Sequence, residues 1–228
     1  PIKSSAASDV YKRQVSFVNL KTEQATIANY EGTISGNTMS HSSFYHIGED
    51  FYFVPSGLNY YFYRIDTKEK KLEPVMYLDF GDAEVKAEGL PGRAGGKRTD
   101  SDEERREITE DATERYQYLK YSSNMLLPLV KFFNDDYVYV YLAKTDRGYG
   151  SHFMYNRKQK KGFLIKEGEP FIMYLCFGIV DNALLSICKP DFVHRVVDRK
   201  LMPSEEIRKM EALKEDDNPV ILKYYLKR

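Results

Sequence analysis

Ser151 followed by His152 is the most chemically suggestive neighbour pair in this 228-residue chain, because a histidine able to take a serine proton makes a nucleophile. The surrounding run, Gly148-Tyr149-Gly150-Ser151-His152, lacks the G-x-S-x-G elbow and the strand-to-helix turn that exposes such a serine. Adjacent residues on a strand also point to opposite faces, so the two side chains diverge. A second candidate is the run Gly89 to Thr99, GLPGRAGGKRT, since a Gly-rich backbone followed by Lys can cradle phosphates. The phosphate loop requires G-x-x-x-x-G-K-[ST]. Here Pro91 stands where the first Gly belongs and Arg98 follows Lys97, so the run reads as a solvated loop. The four histidines, His41, His46, His152 and His194, stand singly, without the spacing of a zinc finger or of an i, i+4 metalloprotease pair. The acidic pairs Asp135-Asp136, Glu205-Glu206 and Asp216-Asp217 fall in turns or at a helix start, where structural roles suffice.

No residue is therefore assigned a catalytic, cofactor-binding or metal-ligating role. The tyrosines remain as candidates for recognition, because a ring with a polar tip suits sugars, peptides and proteins. Tyr60, Tyr61, Tyr63, Tyr137, Tyr139 and Tyr141 lie in regular alternating segments, which assigns those six to the core first.

The elements that position these residues are strands. Aromatic residues make up 14% of the chain, as 19 Tyr and 13 Phe with no Trp, a bias toward side chains that pack on a pleated surface. Lys plus Arg and Asp plus Glu both number 34, so there is no basic footprint for nucleic acid or an anionic membrane. No apolar run is long enough to span a membrane as a helix. Hairpins are expected wherever alternating segments flank turn residues: SFYHI and FYFVPS around Gly48 to Asp50, YYFYRID and LEPVMYLDFG around TKEKK, LPLVKFF and YVYVYLAK around Asn134 to Asp136. SHFMYNRKQKKGFLIK forms another, with its turn at Asn156 to Gly162; FIMYLCFG, NALLSICKP and VILKYYLK complete the set. The unbroken bulk of YVYVYL implies a strand covered on both faces.

Pairing FIMYLCFG with NALLSICKP across Val180 to Asn182 sets Cys176 opposite Ser186 and Cys188 diagonally away, outside disulfide reach, so both cysteines are expected as buried thiols. Ala83 to Thr99 reads as a mobile loop, and a short helix follows from Ser101. Ser101 and Glu104 suggest its capping box; Ile108, Ala112, Tyr116 and Leu119 give it an apolar stripe. A second helix is expected over Ser204 to Lys214, with Glu205 and Glu206 in its first turn. Pro219 launches the last strand.

Two segments carry a family likeness. Glu215 to Arg228, EDDNPVILKYYLKR, and Tyr60 to Asp82, YYFYRIDTKEKKLEPVMYLDFGD, resemble the closing sequence and a middle blade of bacterial six-bladed β-propellers, found as uncharacterised envelope or lipoprotein-type proteins. The units at about 44 to 80 and 127 to 166 fit that resemblance, each being about 40 residues of hairpin, aromatic strand, Lys-rich turn and short strand. The resemblance implies an all-β fold with two short helices, a cell-envelope location, no cofactor, and a binding or scaffold role toward a protein, peptide or glycan. A hydrolase or lyase working at the channel mouth is the alternative. Ser4 to Gln14, SSAASDVYKRQ, resembles the read-through of a transposase-type sequencing adapter, preceded by its index at Pro1 to Lys3. On that reading residues 1–14 are foreign and 15–228 hold an incomplete propeller of about three to four blades, with 83–121 as an inserted loop plus helix. An open ring exposes an inter-blade face.

Overall fold

The computed structural model describes residues 13–30, 43–55, 59–85, 90–91, 101–121, 125–144, 150–166 and 173–226. Every sheet is a meander in which strands neighbour one another in chain order, and the fold is all-β with few helices. The strands are β1 (Arg13–Val18), β2 (Ala25–Tyr30), β3 (Phe44–Ile47), β4 (Asp50–Phe53), β5 (Tyr61–Asp66), β6 (Lys71–Tyr77), β7 (Leu126–Phe133), β8 (Tyr137–Lys144), β9 (Gly150–Asn156), β10 (Lys161–Lys166), β11 (Cys176–Val180), β12 (Ala183–Cys188) and β13 (Val220–Tyr225). Among the described residues they form four sheets: β1-β2, β3 to β6, β7 to β10 and β11 to β13. Two compact units divide the chain, residues 1–129 with 143–148 and residues 130–142 with 149–228. Most of the adapter-like stretch lies outside the described residues; its last two, Arg13 and Gln14, open β1 opposite Tyr30 and Asn29.

Turn chemistry explains the hairpins, and one turn occurs twice. Asp66-Thr67-Lys68-Glu69-Lys70-Lys71 joins β5 to β6, and Asn156-Arg157-Lys158-Gln159-Lys160-Lys161 joins β9 to β10. In both, the leading side-chain oxygen accepts the N–H three residues on, Glu69 to Asp66 and Gln159 to Asn156, each at 2.9 Å. In both, the fifth residue takes a positive φ, 55° at Lys70 and 53° at Lys160. Asx side chains that replace a backbone partner favour such turns. Elsewhere Gly48 and Asp181 supply the positive φ of two-residue loops, at 60° and 52°, as reversing antiparallel strands requires.

In the first unit, Val15, Phe53 and Tyr63 form a core between β1-β2 and the β3 to β6 sheet, with Phe17, Tyr30, Tyr61, Ile65 and Leu72 packed around it. Beyond β6 the chain makes a short 3-10 turn at Gly81–Ala83. The front of the expected mobile loop is thus ordered, and Val85 is 1% exposed. Residues 86–89 and 92–100 lie outside the described residues. Helix α1 (Asp102–Tyr121) has 20 residues, longer than the short helix expected, because nothing between Asp102 and Tyr121 breaks it: there is no Gly or Pro. Leu119 of its expected apolar stripe is buried, together with Arg115. The side chains of Glu104, Ile108, Ala112 and Tyr116 lie outside the described residues.

In the second unit, Val138, Tyr139 and Val140 of β8 are fully buried, with Tyr137 and Leu142 almost so. Consecutive buried residues point to both faces, so β8 is the covered strand its sequence implies. On the inner face of β12 and β13, Cys188 joins Val193 and Val196 of the short helix α2 (Val193–Val196), with Met210 and Leu213 packed against them. Met210 belongs to α3 (Ser204–Glu211), whose first turn carries Glu205 and Glu206. That α3 is the expected second helix; α2 was not among the expected helices. β13 starts directly after Pro219.

Candidate functional site

Two groups of side chains stand out, one buried and one open. The buried group surrounds β8. Register places Cys176 opposite Ser186 as the sequence implies, and both cysteines are free and buried. Tyr139, His152 and Cys176 have no exposed surface. The Tyr139 hydroxyl lies 2.8 Å from His152 Nδ1 and accepts the Cys176 N–H at 3.4 Å. Phe132 stacks on Tyr139 at 4.5 Å, and the Tyr141 ring sits 5.2 Å from His152.

Gly150 makes room for the Tyr141 ring, since a Cβ there would meet that ring at 2.3 Å. The glycine of the Gly148 to His152 run thus seats an aromatic ring, and His152 serves the core while Ser151 is only half-buried. Burial pushes the Cys176 thiol up to about 12 and the Tyr139 phenol above its ordinary range. A thiol held neutral is a poor nucleophile, so this network binds strands together.

The raised thiol has a measurable consequence. An unfolded thiol ionises from about pH 9, whereas the folded one stays neutral to about 12. The stability contributed by the buried neutral form is complete below pH about 9 and is lost as pH rises toward 12. Denaturant unfolding at a series of pH values should show stability falling above pH about 9, with Cys176 slow to label in native buffer. Rapid native labelling at pH 8, or a flat alkaline profile, would contradict this.

The open group lies on the β3 to β6 sheet. Phe44 faces Phe53, Phe53 faces Tyr63, and Tyr61 faces Tyr77 across neighbouring strands, so the aromatic positions of one face fall into a row. Ring centroids are 5.2 Å apart for Phe44 and Phe53, 6.3 Å for Phe53 and Tyr63, 5.8 Å for Tyr63 and Tyr61, and 4.7 Å for Tyr61 and Tyr77. These separations suit favourable tilted and edge contacts. Tyr30 of β2 rests on Phe53 at 4.8 Å; off the row, the Tyr60 ring lies 6.4 Å from Tyr77 and 5.5 Å from Phe80.

The middle of the row is core and its ends are open. Phe44 is 55% and Phe51 48% exposed, with the exposed His46 ring stacked on Phe51 at 4.5 Å; Tyr77, at the other end, is 40% exposed. The Tyr77 hydroxyl donates to Glu84, and that carboxylate holds the phenol above its ordinary range. The row offers flat apolar surface fixed by the sheet beneath it, which is what stacking recognition of sugars or peptide side chains needs.

The remaining sequence candidates are scattered. His46, His152 and His194 lie on β3, β9 and α2, while His41 and most of the Gly-rich loop fall outside the described residues. Among the described residues no group of three His, Cys, Asp or Glu side chains could hold a metal ion. Asp136 sits in the β7-β8 turn, where Lys158 Nζ pairs with its carboxylate at 2.6 Å. Asn134 Nδ2 of that turn donates to the Asp181 carbonyl at 2.8 Å, and Arg157 donates to the Asn134 carbonyl at 2.8 Å. These polar groups tie three turns together. Of the six strand tyrosines, Tyr60, Tyr63, Tyr137 and Tyr139 are buried, and Tyr61 and Tyr141 half-buried, as core membership requires. The row of rings was missed because it depends on register between strands, although the alternation of Phe51, Phe53, Tyr61 and Tyr63 carried the signal.

No family model matches the chain, and no curated protein matches it. The chain is similar in fold to a solved structure from Bacteroides fragilis NCTC 9343 named "putative exported protein", with a TM-score of 0.52 and 14% sequence identity. The likeness covers 89% of this chain and 58% of that one, so the chain spans little more than half the length of its structural relative. No helix among the described residues is long and apolar enough to cross a membrane.

Proposed function

We propose that the chain is the rear part of an exported, cell-envelope β-propeller, six-bladed when whole, that binds a protein, peptide or glycan without transforming it. Sequential meander sheets and the twice-used Asx-Lys turn support the blade architecture, since repeated strand units are the mark of propellers. The fold likeness to a protein named as exported supports the location. The row of rings with open ends on the β3 to β6 sheet carries the binding role, because its surface is fixed before any ligand arrives and so loses little entropy on binding.

The test is a glycan and peptide array probed with the full chain and with a Phe44→Ala/Phe51→Ala variant. Both rings are half-exposed, so thermal stability should be nearly unchanged. A ligand captured by the parent chain should bind the variant about tenfold or more weakly, as loss of stacked rings implies, and be recovered intact. Equal capture by the variant would overturn the ring site, and cleaved ligand would overturn the non-enzymatic reading.

A further inference from the structure

We infer that β13 pairs edge to edge with the β13 of a second copy of the chain, joining their last sheets into one. The sheets β3 to β6 and β7 to β10 have four strands each, whereas the last has three and ends at β13. Among the described residues β13 pairs with β12 alone, residue for residue from Val220 to Tyr225. Its other edge therefore presents backbone N–H and C=O groups that a further strand would take up.

The other edges of the three larger sheets are each blunted. β3 has only four residues. β6 contains Pro74, which has no N–H to donate, and its pairing with β5 shifts register between Phe62 and Tyr63. β7 contains Pro128, and β10 has Lys at both ends with Gly162 between them. β11 is interrupted by a register shift between Cys176 and Gly178. β13 runs for six residues, VILKYY, with no proline, glycine or register shift, and Lys223 is its one charge. A regular edge of that kind is a template for another strand.

Side chains say which strand fits. Val220 and Leu222 turn inward around Cys188, Val193 and Val196, and the Tyr224 hydroxyl donates to the Val196 carbonyl at 3.2 Å. Ile221, Lys223 and Tyr225 therefore alternate outward, with Ile221 63% and Tyr225 70% exposed, and register sets the exposed Ile187 beside Ile221. A partner strand must continue this apolar face without setting a second cation against Lys223. The chain's own β13 meets both conditions. In an antiparallel pair about a twofold axis at Tyr224, Lys223 of each copy lies opposite Tyr225 of the other, within reach of its ring, and no lysine faces another. The same patch serves both copies, so the contact closes at two. It lies on a different sheet from the row of rings, and the two readings fail separately.

Sedimentation equilibrium of the full chain over a wide concentration range tests this. The mass should rise from that of one chain to that of two and stop there. Ile221→Lys/Tyr225→Lys sets like charges across the twofold axis and should weaken association about tenfold or more. Its circular dichroism and thermal unfolding should stay close to the parent's, because both side chains are exposed. Ile187→Lys, on the same face but one strand in from the edge, should leave association nearly unchanged. A parent chain that stays monomeric, a double variant that associates as tightly as the parent, or assembly beyond two copies would overturn the proposal. So would an Ile187→Lys variant that dissociates as far as the double variant, since the sheets would then meet by their faces.

Discussion

Tyr139→Ala should lower the free energy of unfolding by about 3–5 kcal/mol, and Tyr139→Phe by about 1–3 kcal/mol. The two values separate two contributions of one residue. Alanine leaves a void between Phe132, stacked at 4.5 Å, and the β11 to β13 sheet, and also removes the hydroxyl. Phenylalanine keeps the ring and removes only the oxygen that meets His152 Nδ1 at 2.8 Å and the Cys176 N–H at 3.4 Å. Those groups are fully buried, so no water replaces the lost partner, and an unsatisfied buried polar group costs more than a hydrogen bond returns. His152→Leu in the Tyr139→Phe background should cost less than in the parent, because the histidine nitrogen has already lost its hydroxyl partner. Urea unfolding of the parent, Tyr139→Phe, His152→Leu and the double variant checks this. Additive losses, or a Tyr139→Phe variant as stable as the parent, would show that the hydroxyl contributes nothing to the core.

The hairpins were legible because their information is local. Asn134, Asp66, Asn156, Gly48 and Asp181 sit at turns between alternating segments, and each turn is closed by side chains or backbone angles that depend only on near neighbours. The pairing of Cys176 with Ser186 was counted from a three-residue turn over Val180 to Asn182, and the chain reaches the same pairing through a two-residue loop and a bulge between Cys176 and Gly178. What escaped was non-local. His152 read as a strand histidine diverging from Ser151, and its hydrogen bond to Tyr139, 13 residues away on the neighbouring strand, could not be seen in the sequence. Gly150 lies against the Tyr141 ring, a relation visible only once β8 and β9 are side by side. Helix α1 was legible from its start near Ser101 and its stripe to Leu119, within the 83–121 insertion, although at 20 residues it is not short. The end of the ordered chain after β6 was placed too early, since Ala83 to Val85 reads as loop but is held by a tyrosine 25 residues away.

That tyrosine is where a single atom should matter most in the first unit. Tyr60 is 3% exposed, and its hydroxyl joins Val85 N–H, at the departure of the inserted segment, to the Leu126 carbonyl, at its return. Tyr60→Phe should therefore cost about 1–3 kcal/mol, because Val85 is buried and its N–H would have no water to turn to. The loss should be uneven in space. β5 and β6 are held by their own ladder and by the Tyr61 and Tyr77 ring pair, so amide exchange there should change only as much as global stability does. Val85 and Leu126 should exchange much faster, since local opening would no longer break a shared anchor. Burial also pushes the Tyr60 phenol up to about 12, so the native anchor stays neutral when exposed tyrosines ionise near pH 10. Its stabilising contribution is complete below about 10 and is lost as pH rises toward 12. The parent should therefore lose more stability than Tyr60→Phe between pH 10 and 12. Uniform acceleration of exchange across the unit would mean that Tyr60 supports the core generally. Unchanged exchange at both ends would mean that the excursion is held by other contacts, and the single-anchor account would fall.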